Sequence, residues 1–188
     1  MQKLTSVAAA LAGAALLAGP AAAQIPHITP FAFEARGGVA VPMGDFKAVA
    51  GPNFVVGGSI TYHAVPMLGV YAGATHAQFS RDADDGDYQD TGFDIGARLG
   101  IPTPLIPIDP WIKAGVVVHH LELGGTAASD FDDWGTGYEV GAGLGFGFGP
   151  ISITPGVSYV SYSYDDGALA IDQKASYVKA DIGVRIRI

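Results

Sequence analysis

The chain has 188 residues, 49% hydrophobic and only 15% charged, with 27 glycines, no cysteine and a formal net charge of −8. The absence of cysteine removes disulfide and thiolate chemistry, and the negative balance argues against non-specific nucleic-acid binding. Past the first two dozen residues no apolar run reaches the roughly 20 residues of a spanning helix. The glycine content disfavours helices. What is left is β-structure, either in a membrane or in a very apolar sandwich.

Residues 1–23 have the pattern of a secretory signal peptide. Lys3 gives the positive start, Leu4 to Ala18 the apolar stretch, and Ala21-Ala22-Ala23 the small-residue cleavage site. The stretch is short for an anchor helix and no stop-transfer flank follows, so a mature start at Gln24 is expected. Residues 24–30, with Pro26 and Pro30, form an expected short lead-in. Residues 31–188 form the expected main domain.

The first strand is expected over Phe31 to Val41, with Glu34 and Arg36 opposite an apolar file. A loop from Pro42 to Pro52 leads to the second, Asn53 to Tyr62, and a brief turn at His63 to Pro66 follows. Met67 to Phe79 reads as the third strand with two competing registers. Leu68, Val70 and Ala72 favour one; Tyr71, Ala77 and Phe79 favour the other, and a bulge would reconcile them. Ser80 to Asp90 is an expected acidic loop. The fourth strand, Gly92 to Ile101, alternates cleanly between Phe93, Ile95, Ala97, Leu99 and Asp94, Gly96, Arg98. After a proline-rich turn to Pro110 comes the fifth, Trp111 to Leu123, with Lys113 on one face. A loop from Gly124 to Gly135 carries Asp130, Asp132 and Asp133. The sixth strand, Thr136 to Phe148, sets Glu139 and a file of glycines against apolar residues. Gly149-Pro150 turns into the seventh, Ile151 to Tyr164, where Pro155 suggests a bulge. Asp165 to Lys174 is the last expected loop. In the eighth strand, Tyr177 to Ile188, the apolar file Val178, Ala180, Ile182, Val184, Ile186 and Ile188 opposes Lys179, Asp181, Arg185 and Arg187.

Eight strands of about 10 to 13 residues, an even count and alternating long and short connections predict an all-β, eight-stranded antiparallel up-and-down transmembrane β-barrel. Both ends of the barrel domain fall on the short-turn side, which is periplasmic in such barrels. Glycine and charge share a face in the fourth, sixth and eighth strands. A soluble barrel would turn its charges outward; a narrow barrel with a filled interior has room for long charged side chains only opposite glycine. The expected inward network is Glu34, Arg36, Asp94, Arg98, Lys113, Glu139, Lys179, Asp181, Arg185 and Arg187. It must be paired, because an uncompensated buried charge costs several kcal/mol. Aromatic belts are expected at both strand ends: Phe31, Phe33, Tyr62, Trp111 and Phe148 at the short turns, Phe54, Phe79, Phe93, Trp134, Tyr138, Tyr164 and Tyr177 at the loops. In the eighth strand Ile182→Arg is expected to damage insertion more than Gly183→Ala.

With its signal peptide, strand count, loop alternation and closing strand, the mature chain resembles the small outer-membrane β-barrels of Gram-negative bacteria, the OmpA/OmpX-like group. The segment GGVAVPMGDFKAVAGPNFVVGGSITYH resembles the first hairpin of such barrels. The resemblance implies residence in the cell outer membrane and contact with its lipid and lipopolysaccharide. It also implies that the closing strand, Tyr177, Val178, Ala180, Ile182, Val184, Ile186 and Ile188, is read by the barrel-assembly machinery. The family ends this strand in an aromatic residue; here Ile188 stands in that place.

Asp82, Asp84, Asp85 and Asp87 form a candidate for a divalent metal, since oxygen-rich clusters suit Ca²⁺. The EF-hand spacing and its closing Glu are absent, and a solvated loop is the simpler reading. The predicted long loops hold 12 of the 18 acids, so an anionic outer surface bridged to lipopolysaccharide by divalent cations is a further expectation. His119 and His120 are neighbours in a strand and point to opposite faces. His76 and Glu122 stand near loop ends, and Ser80, Ser161 and Ser163 are available. Some small barrels modify lipid A with such residues, but the spacing shows no Ser-His pair, and no nucleophile elbow, phosphate loop or zinc signature is present. The expected protein is a non-enzymatic monomer without cofactor or nucleic-acid partner, with a plugged, charge-paired lumen and a structural or surface-interaction role. The alternatives are lateral passage of small hydrophobic molecules, as in OmpW-like barrels, and a lipid A-modifying enzyme.

Overall fold

The structure, a computed structural model, describes residues 30–81, 87–103, 108–124, 132–166 and 171–188. The strands are β1 (Phe31–Pro42), β2 (Ala50–Gly51), β3 (Asn53–Val65), β4 (Leu68–Arg81), β5 (Asp87–Gly100), β6 (Trp111–Gly124), β7 (Asp132–Gly143), β8 (Phe146–Phe148), β9 (Ile151–Asp166) and β10 (Ile171–Arg187). All pairings are antiparallel, the long strands pair in chain order, with β1 on β3 and β7 on β9, and β10 returns to β1, with Ala32 opposite Arg187 and Pro42 opposite Tyr177. The result is a closed, all-β, eight-stranded barrel in which β2 and β8 are short additions. Closure removes the free edge that an open sheet would present. The seam extends past the strands, where Ile188 N–H donates to the Phe31 carbonyl at 2.9 Å.

Strands run further than the alternation indicates. β5 begins at Asp87, β7 at Asp132 and β10 at Ile171, so much of the expected acidic loops continues the ladders. The sixth expected strand, Thr136 to Phe148, is interrupted at Leu144-Gly145. Leu144 N–H donates to the Pro155 carbonyl at 3.0 Å, so the amide edge of Pro155 that faces β7 is the one without a donor, and the ladder pauses there. No residue is inserted: Gly143 pairs with Gly156 and Phe146 with Ile153. The bulge expected at Pro155 is therefore absent. The bulge expected within residues 67–79 is absent too, since β4 keeps one register on β5 throughout; its shift against β3 lies at the turn, between His63 and Val65.

The outward positions of the strands are apolar. Between the ends they read Phe31, Phe33, Val39 and Val41 on β1, Phe93, Ile95 and Leu99 on β5, and Ile182, Val184 and Ile186 on β10, all exposed. Across the middle of every described strand these positions carry no Asp, Glu, Lys or Arg. Charge lies inside instead: Glu34, Asp94, Arg98, Glu139, Lys179, Asp181 and Arg185 are buried. The expected signal peptide, residues 24–29 of the expected lead-in, and Asp82, Asp84 and Asp85 lie outside the described residues.

Candidate functional site in the barrel lumen

The lumen has two compartments, stacked along the barrel. Toward the short turns, Glu34 projects inward from β1 and gathers cations from three strands. Arg36 bonds its Oε1, Arg98 Nη1 stands 2.7 Å from Oε2, and Arg185 Nη1 lies 3.9 Å from the same oxygen. Thr154 Oγ1 donates to Oε1 at 2.8 Å. Arg36 also bonds Asp181. The guanidiniums of Arg98 and Arg36 lie over the Trp111 ring, 4.1 Å and 5.0 Å from its centroid, a cation–π arrangement strengthened by desolvation. The indole is buried and rests on glycines of β7 and β9: a Cβ at Gly156 would stand 2.7 Å from Trp111 Cζ2, and one at Gly143 would meet the same ring.

One step along, Glu139 of β7 receives Lys113 on Oε1 and Lys179 on Oε2, each at 2.5 Å, and the Tyr71 hydroxyl donates to Oε1 at 3.3 Å. Lys113 Nζ also lies 5.4 Å from the Tyr71 ring centroid. Asp94 is buried in the same middle section, near Lys113 and Lys179. Glycine supplies the space: a Cβ at Gly183 would stand 2.7 Å from Glu34 Oε1, and one at Gly141 3.1 Å from Lys113 Cε.

Toward the loops the lumen turns apolar. Phe46, on the short 3₁₀ turn Gly44–Ala48, folds into the barrel mouth and packs edge-on against Phe79, with centroids 5.0 Å apart. Phe79 meets Tyr177 at 5.1 Å, and Val55, Leu121, Val160, Tyr162 and Tyr164 complete the cluster. Under it lies a buried pair, His119 Nδ1 and Asp90 Oδ1 at 2.7 Å, with the Tyr177 hydroxyl 3.5 Å from the same nitrogen.

Nine of the ten residues expected in the lumen lie there, and Glu34 and Glu139 bring eight of them into two clusters, directly or through Arg36; Asp94 stands beside the second. Arg187 is at the rim, with its side chain 43% exposed and 3.2 Å from Asp109. Four residues assigned to the aromatic belts face inward instead: Trp111, Phe79, Tyr164 and Tyr177 are all buried. Tyr177 lies on β10, as expected of the closing strand, on the file opposite Val178, Ala180, Ile182, Val184 and Ile186. Asp90, expected in a loop, is fully buried. Sequence reasoning missed the Asp90–His119 pair, the Phe46 plug and the roles of Tyr71, Thr154 and His63. The available signal was parity: Trp111 shares a file with Lys113, and Tyr177 with Lys179.

Other candidates are dispersed. Asp87 lies on β5 and accepts from Gln78 at 2.5 Å. His119 points inward. On the outer face, His120 Nδ1 is 3.0 Å from Glu122 and stacks on Trp134, and His76 Nδ1 is 2.7 Å from Thr91 Oγ1. Ser161 Oγ pairs with Ser176 Oγ at 2.9 Å. Among the described residues no group of three or more His, Cys, Asp or Glu is placed to hold a metal ion.

No protein-family model and no curated protein matches the chain. Solved structures do. Neisserial surface protein A superposes with a TM-score of 0.62 at 16% identity, over 85% of this chain and 97% of that one. Outer Membrane Protein W of E. coli gives 0.52 at 17% identity, over 87% and 100%. The outer membrane enzyme PagL gives 0.51 at 20% identity, over 84% and 99%. At these identities the likeness is one of fold: the chain folds as the small outer-membrane β-barrels do.

Proposed function

We propose that this protein is an integral outer-membrane β-barrel whose lumen is closed by side chains, serving a structural or surface-interaction role rather than catalysis. One observation carries the reading: the outward positions are apolar and uncharged across the middle of every described strand, while the charges are paired inside. In water that arrangement exposes the wrong face; in a bilayer it is the stable one. Exposed aromatics support it at both margins, with Phe31, Phe33, Tyr62 and Phe148 at the short-turn end and Phe54, Phe93, Trp134 and Tyr138 at the loop end. On this reading residues 1–23 direct export, lipid and lipopolysaccharide surround the barrel, and the assembly machinery inserts it, with β10 as the strand it engages. The protein then works as a monomer.

Cell fractionation with a heat-modifiability gel tests residence: the protein should stay with the detergent-soluble outer membrane and migrate faster unboiled. Recovery in the aqueous fraction would refute it. Planar-bilayer recordings test closure: the two compartments should permit no steady conductance, and a stable open channel would favour transport. Ile182, 61% exposed near the middle of the apolar band, gives the facing test. Ile182→Arg should cost about 2–4 kcal/mol of folding free energy in lipid vesicles.

A further inference from the structure

The outward face of β7, β9 and β10 carries two features that neither the charge network nor the plug uses. The first is a polar row at the loop end. The ladders set Lys174 of β10 beside Ser163 of β9, and Ser163 beside Thr136 of β7. Directly opposed residues stand about 5 Å apart between Cβ atoms, and all three are exposed. Lys174 is the one Lys or Arg at an outward position of the described strands. Next toward the bilayer centre come Tyr138, 48% exposed, and Tyr159, whose hydroxyl is hydrogen-bonded with Ser161, Ser176 and Tyr138. Ser161 and Ser176 are themselves buried, so they hold the phenol and meet no ligand.

The second feature is a groove of about 510 Å³, deeper on the same strands. Ala142 of β7, Pro155 and Val157 of β9, Ala180 and Ile182 of β10, and Gly37 of β1 line it. Gly37 leaves its floor open, since a Cβ there would meet nothing within 4 Å. The spacing of the two features fits one occupant. From Lys174 to Ala180, at about 3.3 Å per residue and a strand tilt of about 40°, the drop along the bilayer normal is about 15 Å. One leaflet's hydrocarbon is as deep, half of about 30 Å. A lipid with its head at the polar row therefore ends its chain in the groove. The order of charge narrows the head. Beyond Lys174 and Ser163 the ladder pairs Asp172 with Asp165, so acidic residues follow the basic one toward the loops. A phosphate followed by an ammonium group is complementary to that order.

We propose that this face seats one aminophospholipid of the outer leaflet. Its phosphate lies on Lys174, Ser163 and Thr136, its ester region against Tyr138 and Tyr159, and one acyl chain ends in the groove. A lysine and two hydroxyls supply charge-assisted and neutral hydrogen bonds to phosphate oxygens, and tyrosine suits the wet edge of the hydrocarbon. The seat rests on the membrane placement proposed above.

The test titrates the full-length protein, purified in non-phospholipid detergent, with dipalmitoyl phosphatidylethanolamine and counts bound lipid by native mass spectrometry. One lipid should bind saturably. Dipalmitoylglycerol, which lacks the phosphate, and dipalmitoyl phosphatidylglycerol, which lacks the ammonium group, should each bind about fivefold more weakly. Lys174→Gln should weaken phosphatidylethanolamine binding about fivefold. Gly37→Leu fills the groove without a clash at its Cβ, and should weaken all three lipids about fivefold while their order stays the same. Equal affinity for the three lipids, many equivalent lipids in place of one, or either variant binding like the native chain overturns the proposal. Vesicle insertion and a heat-modifiability gel on the same preparation separate the two readings. An inserted, heat-modifiable barrel without saturable binding loses the lipid seat alone; a barrel that does not insert loses the membrane placement and the seat together.

Discussion

The two halves of the lumen close the same barrel by opposite means. The short-turn half is polar, with Glu34 and Glu139 each holding two or more cations. The loop half is an apolar plug of Phe46, Phe79, Tyr162, Leu121 and Tyr177 around one histidine–carboxylate pair. In the first, each residue depends on the charge of its neighbours; in the second, on their volume. Substitutions should therefore be intolerant of charge change in one half and of cavities in the other.

The largest effect should come from Glu34→Gln. It leaves Arg36, Arg98 and Arg185 clustered without their common anion, and breaking a buried ion pair costs about 3–5 kcal/mol. Urea unfolding in vesicles should show it, and a second change, Arg98→Met, should recover part of the loss by removing one stranded cation. A double variant as unstable as the single one would mean that the cluster is not governed by charge balance.

Phe79→Ala comes next. The ring is fully buried between Phe46 and Tyr177, and the cavity should cost about 3 kcal/mol. The same experiment should show no rescue by charge changes, and protease should cleave more readily at the Gly44–Ala48 turn that Phe46 anchors.

Gly156→Ala should cost about 1–3 kcal/mol by overpacking against Trp111, and Trp111→Leu should relieve it; additive losses would refute the seating of the indole on that glycine. The smallest effect belongs to Tyr71→Phe. It deletes one hydroxyl from Glu139, which keeps both lysines, for about 0.5–1.5 kcal/mol.

The polar half was legible in the sequence because charge and glycine alternate with apolar residues at a strict period of two, as in Lys179, Asp181, Gly183 and Arg185. The apolar half was not. Where both faces of a strand are apolar, alternation vanishes. β4 looked ambiguous because Ala77 and Phe79 face the plug while their neighbours face outward, and on β9 Val160 and Tyr162 do the same. Each strand in fact keeps a single register, and the environment inside changes partway along it. Trp111, Phe79, Tyr164 and Tyr177 were placed in belts by their position along the strand, whereas parity decides the face. Gly183→Ala also needs revision: the residue looked replaceable as one of a file, yet a Cβ there would press on Glu34 and Thr154. Phe46 gave no periodic signal because it enters from a turn.

The seam between β1 and β10 carries a kinetic consequence. Its partners, such as Phe33 and Ile186, stand almost a whole domain apart in the chain, so this ladder has the highest loop-closure cost in the molecule. Until it zips, β1 and β10 both offer unpaired amides along more than ten residues each. A second chain caught at that moment finds a ready template, with strand swapping or edge-to-edge aggregation as the result. The joint that leaves the finished barrel without an edge is therefore the place where an unfinished one is most exposed.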